Sequence, residues 1–166
     1  MVATTRGLLF VHSTPSALCP HIEWAVEGVL GVSPNVSWTP QPAQPGTYRA
    51  ELPWEGPKGA GARLASAFLG WNRIRFEVTQ DAVPGVEGHR WSFTPELGIF
   101  HAATTPSGDI TLGEELVKLA IAQDATGEKP LRIALDELLG TPWDEELEVF
   151  RHAGEDAPVR WLHRAV

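Results

Sequence analysis

The run GLLFV, residues 7–11, constrains this chain more than any other stretch. It is too short to cross a membrane or to serve as the apolar core of a secretory leader. Uninterrupted apolarity instead suits a central strand buried on both faces, because a strand with one wet face would alternate. The rest of the chain must therefore cover two sides of a sheet. A first cover follows at once. Pro20 would cost about 3 kcal/mol inside a helix but fits a first helical position. From there Ile22, Ala25, Val26, Val29 and Leu30 form one apolar face at helical spacing, and Gly31 ends it.

The next elements alternate. NVSWTP (35–40) and TYRAEL (47–52) each point apolar residues to one side, with the Pro/Gly-rich PQPAQPG as a hairpin loop. KGAGARLASAFLGW (58–71) predicts a helix with Leu64, Ala67, Phe68 and Trp71 as its stripe. RIRFEVT (73–79) puts Ile74, Phe76 and Val78 inward and Arg73, Arg75 and Glu77 outward. The order β-α-β-β-α-β predicts a ferredoxin-like first half of an α+β chain, residues 1–83, with both helices on one face and strands in the order 4-1-3-2.

Residues 84–166 read differently. HRWSFTP and LGIFHAA flank a Pro95-Glu96 corner as a hairpin, and TPSGDITL adds a short strand. Helices are expected at 113–125, 130–139 and 142–153. The last has Thr141 as its expected N-cap, Pro142 at its first position, and a stripe of Trp143, Leu147 and Phe150. The terminal PVRWLHRAV is expected to form an edge strand or a docked tail.

Charge divides the same way. Residues 1–83 hold six basic and six acidic side chains, whereas 84–166 hold seven and fifteen and so carry the whole net charge of −8. An acidic half repels phosphate backbones, and the outward residues of 47–52 offer no stacked aromatics, so a nucleic-acid partner is not expected. The single cysteine allows no internal disulfide, which suits a cytoplasmic protein. The open face of the first sheet needs a cover. The short DAVPGVEG connection predicts that the second half supplies it within one compact monomer.

Three places carry candidate chemistry. Cys19 and His21 lie about 200° apart on a helix and cannot share an ion there, and Cys19 is spaced from Ile22 and Val26 so as to face the core. A Cys19 thiolate at a helix N-terminus with His12 as base is the enzymatic alternative. GPKGAGAR (56–63) opens a helix with Lys58 and Arg63 beside its glycines, but lacks the Walker pattern and the third glycine of a dinucleotide site. Asp144, Glu148 and His152 share a helix face without a two-histidine metal spacing, so no metal and no cofactor are expected. A ligand pocket is expected where the 12–19 loop, Trp24 and the 56–63 loop converge, lined by His12, Ser13, Cys19, Trp24, Lys58 and Arg63.

MVATTRGLLFVHSTPSALCPHIEWA, WTPQPAQPGTYRAELPW, RWSFTPELGIFHA and APVRWLHRAV together resemble a family of small uncharacterised actinobacterial proteins, nearly end to end. The resemblance implies no activity and transfers no catalytic residue. It implies a genomic setting near type II fatty-acid synthesis, and with it an accessory role there as one alternative. The residues themselves favour a non-enzymatic binding or regulatory module for a small-molecule or protein ligand.

Overall fold

The computed structural model describes residues 3–152. The central strand, β1 (Thr4–Pro15), is longer than its apolar run and is followed by a 3-10 turn and α1 (Cys19–Leu30). Next come β2 (Thr39–Pro40), β3 (Thr47–Pro57), α2 (Ala60–Ala67) and β4 (Arg75–Gln80). The second half supplies β5 (Gly88–Thr94), β6 (Gly98–Thr104) and β7 (Ile110–Thr111), then α3 (Glu114–Ala125), α4 (Leu131–Leu139) and α5 (Thr141–Arg151). The terminal segment expected as a strand or tail lies outside the described residues.

Among the described residues seven strands form one antiparallel sheet in the order β2-β3-β1-β4-β5-β6-β7. β1 lies between β3 and β4, the interior position its apolar run demands. The 88–104 hairpin extends the same sheet beyond β4.

Alternation along β1 and β4 builds two cores. Leu9, Val11, Phe76 and Val78 face α1 and α2, where they pack with Ile22, Val26, Leu64 and Phe68. Trp91 and Phe93 of β5 continue this layer. Phe10, His12, Glu77, Ser92 and Phe100 face the other way, beneath α5. α5 seats its predicted stripe there. Leu147 is fully buried, the Trp143 ring lies 5.2 Å from Phe100, and the Arg75 guanidinium stacks 4.5 Å over the Phe150 ring.

Several expectations need correction. The 35–40 stretch contributes only Thr39 and Pro40 as a strand; Trp38 turns instead to α1, where its Nε1–H donates to Glu23 at 2.7 Å. α2 stops at Ala67, so Trp71 lies beyond the helix and is only half-buried. Thr141 is not the N-cap of α5. Gly140 takes that place, with φ of 77°, and also closes α4. A left-handed glycine lets one residue end one helix and begin the next. A Cβ at Gly140 would also stand 2.7 Å from the Phe100 ring.

Candidate functional site

Glu77 lies at the centre of a buried network of ionisable groups. Phe76 and Val78 fix its place in β4 by packing on the α1–α2 side, so its carboxylate must project beneath α5. It is fully buried. His12 Nε2 lies 2.5 Å from its Oε2, and the Ser92 hydroxyl donates to its Oε1 at 3.0 Å. Arg151, also buried, clamps both oxygens: Nε donates to Oε2 at 3.1 Å and Nη2 donates to Oε1. Nη2 donates to Asp144 as well, at 3.0 Å. Burial alone would push the Glu77 carboxyl up. The hydrogen bonds and charges of His12 and Arg151 outweigh it and hold the pKa at about 2.

The surrounding groups close this node. Gln41, itself buried, donates to the His12 carbonyl at 2.7 Å and to the Phe150 carbonyl at 3.2 Å, tying β1 to the end of α5. Arg75 donates to the Ser13 hydroxyl and to Gln44 Oε1, each at 3.2 Å. Arg90 reaches Asp144 at 3.5 Å. Each oxygen of Glu77 is thus taken by internal donors, and the node fastens α5 to the sheet.

The sequence-predicted residues do not meet in one pocket. His12 is held by Glu77 under α5, whereas α1, which carries Cys19, covers the opposite face. The expected thiol–imidazole pair is therefore not assembled. Cys19 does not face the core either. It is half-exposed at the start of α1, its Sγ 3.9 Å from the Pro15 carbonyl. Burial and the Glu23 charge push its thiol up, the reverse of an activated thiolate. Trp24 is 65% exposed, its ring edge-on to His21 at 5.2 Å.

The two loops expected to converge stand at opposite ends of the sheet. Pro15 pairs with Thr47 and Thr4 with Pro57, so the length of β1, roughly 35 Å at about 3.4 Å per residue, separates them. Ser13 is buried against Arg75, while Lys58 and Arg63 are exposed at the far end. The glycine-rich stretch serves packing there: a Cβ at Gly61 would meet Gln80 Oε1 at 2.8 Å and the Trp91 ring at 3.0 Å.

Glu77 and Arg151 were missed because an alternating strand with charged outer residues normally faces water. A signal was present for Arg151. It falls at i+8 from Trp143 and i+4 from Leu147, which puts it on the apolar stripe of α5 rather than opposite it. Gln41, in a Pro/Gly-rich loop, carries no such signal.

The open surface lies elsewhere. α3 packs against α4, and both leave large apolar side chains in solvent: Leu116, Leu119, Ile121 and Ile133 are each between 47% and 55% exposed. A trough of about 560 Å³ separates these helices from β6, lined by Leu112, Leu116 and Leu138 on one side and by Ile99 and His101 on the other. Burial and the neighbouring His89, whose Nδ1 lies 3.0 Å from His101 Nε2, hold the His101 pKa below its ordinary value. Among the described residues no group of three metal-ligating side chains converges, and no helix is long and apolar enough to cross a membrane.

A family model described as "Protein of unknown function (DUF3145)" matches residues 8–164. No curated protein and no solved structure matches the chain.

Proposed function

We propose that this chain, which belongs to the DUF3145 family of proteins of unknown function, is a non-enzymatic binding module that acts through the α3–α4 surface. The observation that carries the reading is the contrast between the two concentrations of unusual side chains. The buried ionisable groups are closed on one another around Glu77. Leu116, Leu119, Ile121 and Ile133 of α3 and α4 stay about half exposed among the described residues. Leu116 and Leu119, three residues apart, share one face of α3, and exposed apolar surface of this kind marks a contact site. In this reading the first four strands and two helices are a ferredoxin-like platform, and the protein works as a cytoplasmic monomer until its partner docks.

Photocrosslinking tests this. A benzophenone side chain replacing Leu119 should form one dominant adduct in cells of the native host, and the same group replacing Arg63 should not. Loss of the adduct in a Leu116→Glu background, on the same face of α3 as Leu119, would assign the contact to that face. Equal labelling from both positions, or from neither, would remove the proposal.

A further inference from the structure

The outer edges of the sheet are protected unequally. Beyond its two pairs with β2, the outer edge of β3 carries Glu51, Pro53, Glu55 and Pro57. Charges and prolines there discourage the addition of another strand. At the opposite edge β7 pairs only with Ala103 and Thr104. Residues 99–102 of β6, IFHA, have no backbone partner outside β5 among the described residues. They include no proline, lysine or bulge, and Ile99 is exposed. Unlike the β3 edge, this one opens onto a trough walled by Leu112, Leu116 and Leu138. The acids in its lining are Glu87 and Glu137, the latter also paired with Lys129, and neither lysine nor arginine lines it.

We infer that residues 99–102 of β6 dock an extended segment of a partner protein by strand addition, with apolar side chains against Leu116 and Leu138 and basic ones toward Glu87 and Glu137. The inference rests on the binding-module reading and specifies how the partner binds. Over these four residues, alternate positions turn both N–H and C=O to the trough. They give about four main-chain hydrogen bonds across roughly 13 Å of strand. Main-chain pairing supplies affinity, and the two walls supply specificity. A second copy is a poorer occupant, because it would bring Glu87 and Glu137 against their own like charges.

The full ¹⁵N-labelled chain should be titrated with a capped hexapeptide of alternating lysine and valine. Two further versions carry N-methyl groups on every lysine or on every valine nitrogen, and a fourth replaces lysine with glutamate. The parent peptide should shift amides within 99–102 and slow exchange at alternate positions there. One methylated version should lose binding while the other keeps it, and the glutamate version should bind at least about tenfold more weakly. Glu137→Lys should weaken the parent peptide by a similar factor, and His101→Pro should abolish its binding. If His101→Pro fails to fold, the paired methylated peptides still decide the matter.

Equal binding of both methylated forms, or shifts centred outside β6, would overturn strand addition. So would a chain of twice the expected mass whose 99–102 amides are protected without peptide. Failure here with a specific Leu119 crosslink would remove edge docking alone, whereas failure of both would remove the binding-module reading too.

Discussion

Gly61 of α2 lies against the ring of Trp91, so close that a Cβ would stand 3.0 Å from Cζ3. Two halves of the sequence meet at this contact, a helix of the first and a strand of the second. Because the ring is buried in the α1–α2 core, Gly61→Val should cost about 1–3 kcal/mol through overpacking. Trp91→Ala should cost about 3–5 kcal/mol through the cavity it leaves. Calorimetry should show each loss as one lowered transition. A two-step melt for Trp91→Ala would mean that the halves are not coupled through this ring.

The buried clamp makes a second prediction. Arg151→Met leaves the Glu77 carboxylate buried with its guanidinium gone, and should destabilise by about 3–5 kcal/mol. Glu77→Gln should be milder, since the Arg151 guanidinium it leaves behind keeps Asp144 at 3.0 Å. The double variant should recover part of the Arg151→Met loss. Denaturant midpoints of the three variants would measure the coupling, and additive costs would show that the two side chains act independently.

Acid should loosen the same clamp. Above about pH 6 the Glu77 carboxyl is ionised in both folded and unfolded chains, and its partners contribute fully. As pH falls toward about 2, the unfolded chain takes up a proton that the folded one refuses, so stability drops. The total lost through this window should be about 3 kcal/mol, and Glu77→Gln should not show that share of it. Matching acid slopes in the two proteins would contradict the assignment.

Cys19 should be a slow nucleophile. Its raised pKa keeps it as a thiol near neutrality, so iodoacetamide labelling at pH 7 should run no faster than for an unfolded control peptide and should rise with pH. Because the residue is half-exposed, Cys19→Ser should cost only about 0–1 kcal/mol. Faster labelling than the peptide would revive a reactive thiol at this helix start.

The elements were legible in the sequence where periodicity had one cause. GLLFV demanded an interior strand, the α1 and α5 stripes face packed layers, and short connections placed the second half over the first sheet. Side-chain pairing was less legible. His12 is spaced suggestively from Cys19, yet a strand turns its residues to both faces, and only the pairing of β1 with β4 assigns His12 to Glu77. The Gly-rich GPKGAGAR resembled an anion cradle because close packing and ligand approach ask for the same residue. Which of the two applied depended on Trp91, thirty positions away from Gly61. The β6 trough was invisible for a related reason: it exists between β6 and two helices whose place beside the sheet no periodicity in the chain fixes.

β4 gives Phe76 and Val78 to one layer and Glu77 to the other, and this governs how the polypeptide can be divided. A fragment ending near residue 83 would keep the carboxylate and lose Arg151 and Ser92. It would also lay bare the whole length of β4 that β5 now pairs. Such a piece is a template for intermolecular pairing rather than an autonomous folding unit. Ribosomal synthesis meets the same situation in time, since β4 emerges well before α5. The nascent chain must hold an α1–α2 layer over an uncovered, charged underside until α5 arrives.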